Sequence, residues 1–149
     1  MRDYLKRLPD FEDVAAEDQA KAHILTFPNV IAALQFCMAW PDLLTASQLI
    51  KARQNEIEGI HYDALCAAAE ALRSRYPLAA VLLWRAMIES VLWHGHTKRY
   101  TQAVEQMYDC ATTDITLTDY EDCATHDDFL RHLRKHYERK TSFWAKIDG

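Results

Sequence analysis

Apolar residues in this chain recur at helical spacing, and no segment outside 112–118 alternates at period two for more than a few residues, so the pattern predicts helices throughout. Over 60–75, Leu65, Ala68, Ala69 and Leu72 fall at i, i+3, i+4 and i+7, the stripe of a helix packed on one side. The next segment is different. Across 77–94, Leu78, Val81, Leu82, Leu83, Trp84, Met87, Ile88, Val91 and Leu92 leave only Arg85, Glu89 and Ser90 as a narrow polar strip. A helix apolar nearly all round is buried on more than one face, so this one is predicted to be central, with Trp84 and Ile88 in the core. Arg85 and Glu89 are then expected to pair across one turn on its exposed edge.

Pro28, Pro41 and Pro77 each follow an aromatic residue, Phe27, Trp40 and Tyr76, and each stands where a helix can begin. These joints divide the chain into predicted helices at 10–26, 28–40, 42–57, 60–75, 77–94 and 97–112. Gly95 ends the central helix in the manner of a left-handed cap, with His94 and His96 beside it meeting the negative end of the dipole. Residues 113–125 lack helical periodicity and are expected to form one long loop. Thr125, with Asp128 three residues on, then caps a final helix over 126–138 that continues or breaks before Trp144. Short connections make neighbouring helices antiparallel, and the Ala-rich seams Ala32-Ala33, Ala67-Ala68-Ala69 and Ala79-Ala80 suit close crossings. The predicted fold is all-α: antiparallel helical hairpins stacked as a short, tetratricopeptide-like α-solenoid, repeat-like but without a strict period.

Size and composition narrow the class. A chain of 149 residues, half of them hydrophobic and only three of them Gly, is expected to be a single domain over 1–149 with a sizeable core. The net charge of −5 argues against a general affinity for nucleic acid. Cys37, Cys66, Cys110 and Cys123 are scattered with no C-x-x-C pair, so no disulfide framework is legible. The N-terminus lacks an apolar signal region and no apolar run is long enough to span a membrane, which makes a cytoplasmic setting the default.

Four stretches together carry a resemblance: Tyr4-Leu5-Lys6-Arg7-Leu8-Pro9-Asp10-Phe11-Glu12-Asp13, then Tyr76 through Ile88, the Lys98-Arg99-Tyr100 turn, and Arg139-Lys140-Thr141-Ser142-Phe143-Trp144. With them essentially the whole chain resembles the C-terminal region of a bacterial domain-of-unknown-function family of helical-hairpin proteins. The resemblance implies that relatives are longer, with further hairpins ahead of this region, and it names no activity. The chain departs from the pattern at His94-Gly95-His96 and at Tyr137-Glu138, so those histidines are not read as a shared site.

Candidate chemistry is sparse. His132 and His136, four residues apart, share one helix face, and His126 and Asp128 open the same helix, so the four form a candidate metal cluster for a small metal-dependent hydrolase. Arg131, Arg134 and Lys135 lie among them and would repel a cation, which favours a solvated surface instead. A zinc site joining His94, His96, Cys110 and Cys123 has no support from spacing. The paired acids Glu17-Asp18, Glu121-Asp122 and Asp127-Asp128 point apart or lie in loops, and no nucleophile elbow, phosphate loop or H-E-x-x-H occurs. The basic run from Arg131 to Lys146, with Tyr137, Phe143 and Trp144 interleaved, is read as a helix that docks back to close the stack rather than as a grip on nucleic acid.

The leading reading is a non-catalytic interaction module without a cofactor, binding a protein or peptide between its helices through a contact face of Tyr62, Trp93, Arg99, Tyr100 and Tyr108, since aromatic residues and Arg carry most interface energy. The alternatives are the hydrolase and a nucleic-acid accessory domain. Phe11, Val14, Ile24 and Leu25 carry more apolar surface than one partner helix hides, so a homodimer through the N-terminal helices is expected, with Phe143 and Trp144 as the opposite cap.

Overall fold

The computed structural model describes residues 24–39 and 42–148, and within them it is helical, with no strand. The elements are α1 (Val30–Ala39), α2 (Leu43–Ala52), α3 (Tyr62–Leu72), α4 (Pro77–His94), α5 (Tyr100–Thr116), α6 (His126–His136) and α7 (Thr141–Asp148), with 3-10 turns at Gln54–Glu56 and Thr97–Arg99. The expected first helix over 10–26 lies outside the described residues except at its end, and Phe11 and Val14 with it; Ile24 and Leu25 rest half-buried against the core.

Local chemistry sets the boundaries. The side chain of Asn29, after Pro28, accepts hydrogen bonds from the Ile31 and Ala32 amides at 3.0 and 3.2 Å, serving two donors that the first turn of α1 leaves over. Asp42 does the same for α2, taking the Thr45 amide at 3.0 Å and its hydroxyl at 2.8 Å. Pro77 occupies the first turn of α4, and Gly95 closes that helix at φ 66°, where the missing Cβ removes the penalty of the left-handed conformation. The Thr125 hydroxyl accepts from the Asp128 amide at 3.2 Å and starts α6, as the spacing predicts.

The core is built around α4. Leu83, Met87, Ile88 and Leu92 are completely buried, Trp84 almost so, and α2, α3 and α5 all pack against this helix. Leu65, Ala68, Ala69 and Leu72 of α3 form the predicted stripe, and none is exposed. On α5 the matching seam is Ala103, Met107 and Cys110. At the far end α7 folds back on α5: Phe143 is fully buried, edge-on to the Tyr100 ring at 5.6 Å, and the Trp144 indole N–H donates to the Tyr137 carbonyl at 2.9 Å. The C-terminal aromatics therefore dock as expected.

Three expectations need correction. The helix predicted over 42–57 stops at Ala52, because Arg53 turns its guanidinium to the Phe27 and Pro28 carbonyls and to Glu56, and the chain leaves as a connector over 53–61. The loop predicted over 113–125 is shorter, since α5 runs on to Thr116. The Arg85–Glu89 pair on an exposed edge does not form: Arg85 is buried, and Glu89 is taken by a residue of another helix.

Candidate functional site

The polar strip of α4 faces the connector and α6, and between these three elements runs an open groove of about 820 Å³. Its walls include Ile60 from the connector, Arg85, Glu89 and Trp93 from α4, and Phe129 and His132 from α6. Gly59 brings the connector down onto α4. A Cβ there would run into the Ala86 carbonyl oxygen and come within 2.7 Å of the Ser90 Cβ, so only glycine permits the approach. Among the lining residues Trp93 is 73% exposed, and Ile60 is exposed as well.

Arg85 lies at the other extreme, 7% exposed. Its Nη1 donates to the Ala124 carbonyl at 2.7 Å, and its guanidinium carbon sits 4.9 Å from the centre of the Phe129 ring and 5.4 Å from that of Tyr120. Nε and Nη2 are buried without a hydrogen-bond partner among the described residues. Burial pulls the Arg85 pKa below its ordinary value, although a guanidinium remains charged at any physiological pH. The neighbouring acid, Asp114, is held instead by the Tyr120 hydroxyl, which donates at 2.6 Å; burial, reinforced by that bond, pushes the Tyr120 pKa up. His126, at the start of α6, is buried with Nδ1 unpartnered, and burial lowers its pKa, with the positive charge of Arg85 adding to the effect and Asp114 opposing it.

A second link crosses the groove. His132 Nε2 and Glu89 Oε1 lie 2.6 Å apart, tying α6 to α4, and both side chains remain partly exposed. His136 stacks at a tilt on His132 with ring centres 4.4 Å apart. The spacing argument thus places these two imidazoles together correctly. The metal cluster is not assembled, however: His126 is buried, Asp128 pairs with Arg131 at 2.9 Å, and His132 is engaged by Glu89. Among the described residues no group of three His, Cys, Asp or Glu side chains is placed to hold a metal ion. Nor do His94, His96, Cys110 and Cys123 gather. The two histidines stack on each other at 5.3 Å at the end of α4, His94 Nδ1 meets the Ser90 carbonyl at 2.9 Å, and Cys110 is buried in the α5 seam, where desolvation pushes its thiol up to about 12.

The predicted contact face divides. Trp93 belongs to the groove; Tyr62, Arg99, Tyr100 and Tyr108 do not line it. Arg99 lies over the Tyr62 ring at 4.4 Å, and the Tyr62 hydroxyl accepts from Gln106 Nε2 at 3.1 Å, a half-buried setting that raises its pKa to about 12. Tyr108 is exposed on α5. Tyr100 is buried under Phe143 and offers no surface, because the ring that reads as a free aromatic in sequence is the seat for α7. In the basic run, Arg134 pairs with Asp148 at 2.9 Å and covers the Trp144 ring at 4.2 Å, holding α6 to α7. Sequence reasoning missed Gly59, Ile60, Phe129 and the groove role of Arg85. The polar strip of Arg85, Glu89 and Ser90 on a largely apolar helix is the signal that points to it.

The chain belongs to a family of unknown function (DUF6880), whose family profile matches residues 1–146. No curated protein and no solved structure matches it. Among the described residues no helix is long and apolar enough to cross a membrane.

Proposed function

We propose that this protein is a non-catalytic helical interaction module that takes a protein or peptide segment into the groove between α4, α6 and the 53–61 connector. The observation that carries the reading is the pairing of an exposed apolar rim, Trp93 and Ile60, with a buried cationic floor at Arg85 in one open channel. Apolar anchors that surround a few placed polar groups are how clefts hold a ligand and orient it. The finer fold reading, antiparallel hairpins of tetratricopeptide kind in the C-terminal region of a longer scaffold, suits the same role, since stacked hairpins present grooves without carrying chemistry. A homodimer through the N-terminal helices is a separate part of this reading.

The test is selection of peptides from a displayed random library on the purified chain, followed by titration of the selected peptides against variants. Trp93→Ala and Ile60→Ser should each weaken binding at least tenfold, and Leu44→Ser, at an exposed apolar site on α2, should leave it unchanged. Peptides that bind equally well to all three variants would move the interaction surface elsewhere.

A further inference from the structure

We propose that Arg85 is the receptor for a carboxylate carried by the ligand of this groove, an acidic side chain or a chain-terminal carboxylate; the inference rests on the groove reading above and names the chemistry of its partner. The geometry supplies the argument. Nη1 is anchored on the Ala124 carbonyl and the Phe129 and Tyr120 rings flank the guanidinium, so its orientation is fixed before any ligand arrives. Nε and Nη2 remain unpartnered among the described residues. Their N–H bonds run parallel along one edge of the guanidinium, and this edge accepts both oxygens of a carboxylate at once.

Three nearby acids are engaged elsewhere. Asp114 accepts from Tyr120, Glu89 is bound to His132, and Asp128 is bound to Arg131. A buried charge left uncompensated is costly, and a bidentate anion relieves two orphaned donors together with the charge. Glu58, Glu89 and Asp128 line the same groove, so a singly charged carboxylate is repelled by them half as strongly as a phosphate dianion at the same place. Nε and Nη2 are closed to solvent without a ligand. Phe129 touches the guanidinium and lines the groove, and the carboxylate reaches the edge when that ring turns aside, with the Ala124 hydrogen bond kept.

The experiment follows the arginine Nε–H resonances of the intact ¹⁵N-labelled chain, with Arg85 assigned through bonds from its own backbone, so that no variant has to fold. Sodium acetate is added at constant ionic strength against sodium chloride, with inorganic phosphate as a second arm. The Arg85 resonance should move saturably with millimolar acetate, less with phosphate, and not with chloride. Equal movement with chloride, stronger movement with phosphate than with acetate, or no movement at all would overturn the carboxylate assignment; the last is also the result if an ordered water alone fills the edge. Arg85→Lys, which keeps the charge and loses the parallel donors, should weaken selected peptides at least tenfold. Amidating the C-terminus of those peptides, or replacing their Asp and Glu by Asn and Gln, tells the two carboxylate sources apart. A silent Arg85 in a protein that still binds peptides through Trp93 overturns this site alone; a responsive Arg85 in a protein with no peptide ligand overturns the groove reading alone.

Discussion

The two sides of α4 are built by opposite rules. Toward α3 and α5 the helix presents Leu83, Met87, Ile88 and Leu92 to alanines and leucines, and the seam is dry, close and fully buried. Toward α6 and the connector it presents Arg85, Ala86, Glu89 and Trp93, and apart from the close approach of Gly59 to Ala86 the neighbours leave a channel crossed by polar links. The first side holds the fold together through area removed from water. The second spends some of that stability on a buried cation and an exposed indole. One helix thus serves as keel and as one wall of the groove, and if the groove binds as proposed, substitutions on its two sides should separate stability from recognition.

The largest effect should come from the dry side. Ile88→Ala leaves a cavity where the residue is fully buried and should lower unfolding stability by roughly 2–5 kcal/mol in denaturant titration. An unmoved midpoint would erase the distinction between the sides. Gly59→Ala is next. The added methyl collides with backbone rather than with a flexible side chain, so the expected loss is about 1–3 kcal/mol, with the connector displaced and the groove altered. Thr125→Ala removes the cap of α6 and should cost about 0.5–2 kcal/mol, read as a lower thermal midpoint with peptide binding weakened in parallel.

The fourth prediction sharpens the comparison through pH. His126 has a folded-state pKa below its ordinary 6.5, so the unfolded chain binds the proton more readily; the contribution of neutral His126 to stability is fully present above about pH 6.5 and is lost as pH falls below it. The stability lost between pH 7 and pH 5 should be smaller in His126→Gln than in the parent chain. An identical slope would mean that the imidazole is as readily protonated in the fold as out of it. The smallest effect belongs to the open side: Trp93→Ala should change stability by no more than about 0.5 kcal/mol, since the ring is mostly in water. A larger loss would make Trp93 a structural residue and remove it from the groove rim.

Legibility of the fold followed the same divide. The limits of α4 could be read because Pro77 and Gly95 punctuate it chemically, and the start of α6 because Thr125 is a side-chain cap. The last turn of α5 could not. Thr112, Thr113, Ile115 and Thr116 are poor helix formers, and the turn persists because Cys110 is buried beneath it and Asp114 holds the Tyr120 hydroxyl. Arg85 was seen as a polar mark on an apolar helix but placed on the wrong side of the surface. Its acceptor, Ala124, lies 39 residues away, and no periodicity within α4 points to it. Tyr100 failed for the same reason, since its cover, Phe143, comes from α7 and not from a neighbour in sequence.

The contact between Gly59 and the Ala86 carbonyl has a consequence for affinity. Where backbone rests on backbone, a wall cannot widen by rotamer changes; it moves only if the whole connector swings, and Arg53 fastens that connector to the Phe27 and Pro28 carbonyls. That side of the groove is therefore ordered before a ligand arrives, and the entropy of fixing it was spent during folding. Adaptation falls to the α6 side, where the Phe129 ring and the Glu89–His132 link can rearrange. Ligands should then be sorted by shape along the connector and by charge along α6, a rigid gauge facing an adjustable one.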